Sequence, residues 1–189
     1  MSEALTLDTR GHTALLTFTN PPAHTWTPES LNELVLIIEK LNADKNNYAL
    51  VLTGQGEKFF SAGADLNRFN HDDKGQAFEF AHAFGRGFEA LANYNGVAIA
   101  AINGYAMGGG LEVALACDVR IAEPHAQMAL PEAGVGLLPC GMGSQQLAWL
   151  VGEQWAKRMI LLGERLSAKQ ALAIGLISEV VEAGSVVEQ

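Results

Sequence analysis

Cysteine is scarce in this 189-residue chain, which carries only Cys117 and Cys140. Two distant thiols build no disulfide framework and match no zinc-ligand spacing, so neither a stapled miniprotein nor a metal site is expected. Charge is sparse as well: Asp, Glu, Lys and Arg make up 17% of the residues, against roughly 25% in an average soluble domain. Positive charge is the scarcer sign, with 12 Lys and Arg against 21 Asp and Glu and a net charge of −9. A nucleic-acid coat needs clustered positive charge and is not expected here. An anionic small ligand stays open, because backbone N–H groups and a few basic side chains can hold one locally. No apolar run approaches the roughly 18 residues of a membrane span. The opening MSEALTLDTRGH lacks the basic-then-apolar layout of a signal peptide, so a soluble, cytoplasmic protein is expected. What the chain does have is apolar residues, 49% of the total, and 20 glycines. It can therefore bury a substantial core, which excludes disorder and collagen. Its length fits one α/β domain, 1–189.

Short β-rich runs alternate with helical patterns. Leu5–Asp8 and Thr13–Thr19 read as a hairpin turned at Arg10–Gly11. Thr27-Pro28-Glu29 is a helix start, with a Thr N-cap, Pro at the first helical position and an acid in the first turn. Leu31, Leu34, Val35, Ile38 and Leu41 then fall on one helical face. Tyr48–Thr53 and Val97–Ile102 are apolar runs of the kind that form strands covered on both faces. Between them, Phe59–Asp65 reads as a loop and Gly75–Asn93 as a helix, with Phe78, Ala81, His82, Gly85, Phe88 and Leu91 roughly in phase. A helix over Gly108–Cys117, a strand over Val119–Ala122 and a short extended Met128–Leu130 follow. Helices over Gln145–Leu162 and Ser167–Ala173 precede a last strand, Ile177–Val181. Repeating ββα units with short connections imply an α/β fold with helices packed on a sheet. Glu182–Gln189 resembles the start of another helix, and the chain is expected to be part of a longer protein.

The chemistry concentrates in three segments: Phe59–Leu66 (FFSAGADL), Asn103–Glu112 (NGYAMGGGLE) and Leu130–Gly136 (LPEAGVG). Three consecutive glycines between a strand and a helix let the backbone approach a ligand without Cβ obstruction. The helix start adds unpaired N–H groups and partial positive charge, the arrangement that holds a developing oxyanion. The same run also fits a tight strand-to-helix turn with only a packing role. Its spacing is not that of a dinucleotide-binding fingerprint, and no phosphate loop or nucleophile elbow occurs. Glu112 enters a helix that continues as Val113, Ala114, Leu115 and Ala116, and a carboxylate in so apolar a helix needs a partner or a task. Glu132 follows Pro131 among apolar residues and glycines; in isolation it reads as a surface-loop acid. Together, two carboxylates in dry settings suit general acid–base work. His24, His82 and His125 read as structural, and Cys140 has no base beside it in sequence.

These motifs in combination, AGAD, NGYAMGGGLEVALACD and LPE with GVGLLPCGMGSQQL, resemble the crotonase (enoyl-CoA hydratase/isomerase) superfamily from about Thr13 to Val181. The resemblance implies a spiral of ββα units, apparently lacking the C-terminal helical region that covers the acyl pocket and supports trimer contacts. It implies an oxyanion hole from the N–H groups of Ala64 and Gly109, aimed at a thioester carbonyl. Glu112 would activate water and Glu132 would donate a proton, giving hydration of a trans-2-enoyl-CoA. Ala62, Gly63, Asp65 and Leu66 would border coenzyme A, with Gly108 at the same site. Coenzyme A would be part of the substrate, with no separate cofactor, and the assembly a homotrimer or hexamer. Lys58 and Arg68 either meet the CoA phosphates or are solvated surface charges. The family's Asn-Ala-Leu near the first helix is His24-Thr25-Trp26 here, and Val97 replaces a frequent proline. Enoyl-CoA isomerase or another crotonase-type lyase is the alternative on the same scaffold, and a non-catalytic acyl-CoA-binding subunit is another. A glycoside hydrolase built on the two acids fits poorly with the glycine run and 7% aromatics.

Overall fold

A computed structural model describes residues 4–68 and 73–188. Strands β1 (Leu5–Arg10) and β2 (Thr13–Phe18) form the antiparallel hairpin read from the sequence. After a two-residue strand β3 (Thr25–Trp26), helix α1 (Pro28–Ala43) opens as its sequence dictates. The Thr27 hydroxyl accepts the Ser30 N–H, and Ser30 returns a bond to the Thr27 backbone, closing a capping box. Strand β4 (Ala49–Gly54) lies parallel to β2, and β7 (Val97–Ile102) lies parallel to β4.

Phe59–Asp65 is not the loop expected from sequence. Phe59–Ser61 is strand β5 and Gly63–Ala64 is strand β6. Their partners lie far away in the chain: β5 pairs with β8 (Tyr105–Met107) and β6 with β3. Pairing at that sequence distance satisfies backbone groups that no local pattern reveals. Helix α2 (Lys74–Ala92) also departs from the expected phase. Its buried face carries Phe80, Ala83, Phe84, Gly87, Phe88 and Leu91, while Phe78 is 67% exposed and His82 lies outside. Gly87 faces Leu31 of α1, where a Cβ would sit in ordinary van der Waals contact at 3.4 Å.

Helix α3 (Gly109–Leu115) is wholly buried. The remaining elements are β9 (Val119–Ala122), β10 (Gln127–Ala129), α4 (Gly143–Leu161, kinked at Gly152), β11 (Leu166–Ser167), α5 (Ala168–Ala173) and β12 (Glu179–Val180). The closing strand is thus shorter than the expected Ile177–Val181. Residues 182–188 form turns rather than a helix, and Gln189 lies outside the described residues.

The six-stranded sheet runs β1-β2-β4-β7-β9-β12, parallel throughout except for the β1–β2 hairpin. A four-stranded sheet runs β11-β10-β8-β5, and β3-β6 forms a small parallel pair. Each cycle places one strand in the large sheet and the next in the small one before a helix returns: β4-β5-α2, then β7-β8-α3. This is the α/β spiral of ββα units that the resemblance implies. Asn103 fixes the junction between cycles. Its Nδ2 donates to the Gly54 and Gly56 oxygens at 2.8 and 2.6 Å, and its Oδ1 accepts the Gly54 N–H at 3.0 Å. Among the described residues no helix is long and apolar enough to cross a membrane.

Candidate active site

A cavity of about 410 Å³ lies where β6, α2, α3 and the segment after β10 meet. Its wall includes Ala62, Ala64, Leu66, Gly108, Gly109, Glu112 and Glu132, so seven of the nine residues singled out in sequence come together. Gly63 and Asp65 do not line it. Asp65 instead accepts the Asn67 N–H at 3.1 Å and pairs with Arg68 at 3.7 Å, organising the one-turn 3₁₀ segment Leu66–Arg68.

The backbone around the cavity is set by close approach. Gly108 has φ 54 and ψ −126, a conformation for which a side chain is poorly suited. Its oxygen accepts the N–H groups of Leu111 and Glu112 at 2.8 and 2.9 Å, which leaves the Gly109 and Gly110 amides without intrahelical partners. In the parallel pairing of β6 with β3, the Asp65 N–H donates to Trp26 at 2.9 Å. Strand alternation then turns the Ala64 amide away from β3. Gly63 abuts the start of α3, since a Cβ there would sit 3.0 Å from the Gly109 nitrogen. At the other end of α3, buried Arg120 donates to the Cys117 oxygen at 2.6 Å and the Leu176 oxygen at 3.0 Å, anchoring the helix from behind.

Glu112 is 2% exposed, and its Oε1 accepts the N–H groups of Gly141 at 2.7 Å and Gly143 at 2.9 Å. Burial pushes its carboxyl up to about 7; the negative charge of Glu132 adds to the rise, while backbone donors at Gly143, Gly141 and Cys140 oppose it. Glu132 begins a 3₁₀ turn, Glu132–Val135, and is half-buried. Its Oε2 is buried with no hydrogen-bond partner among the described residues, and burial raises its pKa above the ordinary carboxylate range. Two nearby carboxylates that both resist ionisation are the kind of pair that can exchange protons with a reacting molecule.

Sequence reasoning missed the Gly141–Gly143 cradle; of the phenylalanines at 78, 80, 84 and 88 that suggest an apolar lining from this helix, only Phe84 lines the cavity, beside Ala77 and Ala81. The glycine spacing was visible, but its partner Glu112 could be found only by folding. Cys140 borders the same cavity and is itself exposed; partial desolvation by the surrounding protein, then the charges of Glu112 and Glu132, push its thiol up to about 12, so it is no thiolate at neutral pH. Cys117 is buried and bonded to the Val113 oxygen at 3.4 Å. The three histidines have structural contacts. His24 Nε2 meets the Gln55 oxygen, His125 Nε2 meets the Glu57 and Asn103 oxygens, and His82 contacts Arg86. Lys58 stands over the Phe59 ring and lines a separate cleft of about 780 Å³ with His125. That cleft is the larger, but the paired carboxylates and the glycine backbone belong to the smaller one.

The family model described as enoyl-CoA hydratase/isomerase matches residues 8–189. The short-chain-enoyl-CoA hydratase of Clostridium acetobutylicum is 37% identical over 177 residues, covering 93% of this chain and 68% of its own length. The (E)-benzylidenesuccinyl-CoA hydratase of Thauera aromatica is 38% identical, covering 94% of this chain and 70% of its own length. Among solved structures, DspI of Pseudomonas aeruginosa is 62% identical with a TM-score of 0.97, over 99% of this chain and 77% of that one. An enoyl-CoA hydratase of Bacillus anthracis superposes with a TM-score of 0.94 at 34% identity, over 98% of this chain and 72% of that one. The chain therefore spans about two thirds to three quarters of these relatives' lengths.

Proposed function

The chain belongs to the enoyl-CoA hydratase/isomerase family, and from that premise we propose that it adds water across the double bond of a trans-2-enoyl-CoA. The observation that supports this reading is the meeting of Glu112 and Glu132 with the glycine backbone of α3 and the Ala64 strand around one cavity. In this reaction the amides of Ala64 and Gly109 hold the thioester oxygen, where negative charge grows as C3 is attacked. Glu112, ionised, takes a proton from water as its oxygen bonds to C3. Glu132, protonated, delivers a proton to C2, and solvent exchange restores both groups. A Glu112 pKa near 7 suits a base working at neutral pH. The raised pKa of Glu132 suits an acid.

Coenzyme A enters as part of the substrate, bordered by Ala62 and Leu66 of the cavity wall. Double-bond isomerisation is the second reading, since it needs the same oxyanion hole; the presence of two carboxylates favours hydration, which moves one proton at each of two places. Loss of enoyl-thioester absorbance on adding the protein to crotonyl-CoA tests the proposal. Turnover that disappears in Glu112→Gln is the expected result. Migration of the double bond in a 3-enoyl-CoA, with no hydration of crotonyl-CoA, would instead establish the isomerase.

A further inference from the structure

Three stretches that build the cavity, around Ala64, Gly108–Glu112 and Cys140–Gly143, are distant in sequence, yet each rests on one group of aromatic rings. Phe84 and Phe88 lie one turn apart on α2 and so share a face. The Phe84 ring packs on the α-carbon of Gly109: a Cβ there would lie 2.6 Å from Cε1. The Phe88 ring packs in the same way on Gly141, where a Cβ would overlap it. Gly141 is also a donor to Glu112. Phe88 meets Phe84 edge-on at 5.6 Å and 78°, and meets Trp26 edge-on at 5.5 Å and 70°. Trp26 in turn is the register partner of Ala64 across β3 and β6.

We propose that Trp26, Phe84 and Phe88 form a positioning cluster that fixes where the Ala64 and Gly109 amides stand relative to Glu112. The chemical role of those groups rests on the hydratase reading. An aliphatic core would bury similar area, but flat rings pressed directly on glycine α-carbons transmit their own position to the backbone. Aromatic side chains have few rotatable bonds and defined edge-to-face geometry, so the cluster acts as a rigid spacer. Each ring serves a different part of the site. Phe84 bears on the oxyanion amide, Phe88 on the cradle of Glu112, and Trp26 on the strand that presents Ala64. Small misplacements at such groups are costly, about 100-fold in rate for an error of about 1 Å.

The test compares Phe84→Leu and Phe88→Leu, with Phe84→Met and Phe88→Met as fuller-volume variants should either Leu protein fold poorly. The carboxyl of Glu112 is titrated by carbon-13 NMR, its signal assigned by loss in Glu112→Gln. In Phe88→Leu the cradle loosens, and the midpoint is expected to rise by about 1 pH unit, because N–H donors favour the ionised form. In Phe84→Leu it should stay in place, while turnover of crotonyl-CoA falls about 10- to 100-fold through the oxyanion side. Equal midpoint shifts in both folded variants, or none in either, would overturn the proposal. Wild-type turnover is a separate readout: its absence would sink the hydratase reading, while the titration would still decide the cluster.

Discussion

The two carboxylates sit on opposite kinds of wall. Glu112 belongs to a buried helix, is gripped by two backbone amides and has almost no freedom. Glu132 stands on a single 3₁₀ turn, half-buried, with one oxygen unpartnered among the described residues and with Val135 and Leu138 exposed nearby. A buried acceptor without a donor is costly unless something arrives to satisfy it. One wall therefore holds its carboxylate in place, and the other leaves an acceptor open; on the proposed hydration the first is the base and the second the acid whose partner comes with the substrate.

The largest effect that would sharpen this contrast is on turnover. Glu112→Gln and Glu132→Gln should each lower kcat by about 10²- to 10⁴-fold, the usual contribution of positioned acid–base groups. Steady-state kinetics on crotonyl-CoA, with circular dichroism to verify folding, would check both. Next, Gly109→Ala should cost up to about 10²- to 10³-fold, the cost of a lost oxyanion donor, because the new methyl meets the Phe84 ring and displaces the amide that carries it. The same assay reads it. If that variant retained full turnover, the fit of Gly109 against the Phe84 ring would not set the position of the α3 amide.

The pH dependence comes next in size. Glu112 must be ionised to act as base, so kcat/KM should fall about tenfold for each pH unit below about 7. Stability responds with the opposite preference. The folded state raises Glu112 from its ordinary 4.5 to about 7 and so favours the protonated form. The folded chain then binds more protons than the unfolded chain across that window. Its stability is fully present below about pH 4.5 and declines as pH rises through 7, by at most on the order of 3 kcal/mol. Glu112→Gln should therefore unfold at a higher temperature than the wild type at pH 8, with the gain vanishing near pH 4.5. Thermal melts at the two pH values would show it. The smallest effect belongs to Cys140. With its thiol pushed up to about 12, alkylation by iodoacetamide at pH 7 should be slow, as mass spectrometry would follow. Rapid labelling would contradict the electrostatics drawn for the cavity.

Much of this could be read in the sequence, for reasons that were local. Thr27-Pro28 marks a capped helix start whatever surrounds it, and Val97–Ile102 is a strand in sequence and structure alike. The glycine run and Glu112 stood out by residue type and order, whereas Glu132 alone read as a surface-loop acid and was singled out through the family resemblance; the structure places all of them on one cavity. The misread parts depended on distant partners. Phe59–Asp65 becomes strand only because β8 and β3 receive it. In α2, phenylalanines at 78, 80, 84 and 88 allow more than one apolar face. Packing against α1 and Gly109 buried Phe80 and Phe84 and left Phe78 outside. The cradle of Glu112 joins residues 29 positions apart, which no window along the chain contains.

The central claim is that this cavity adds water to an enoyl thioester, and product analysis in oxygen-18 water tests it most directly. Incubation of crotonyl-CoA with the protein should yield 3-hydroxybutyryl-CoA carrying one heavy oxygen at C3, formed at least about 100-fold more slowly by Glu112→Gln. A product without that oxygen, or equal labelling by the variant, would contradict it.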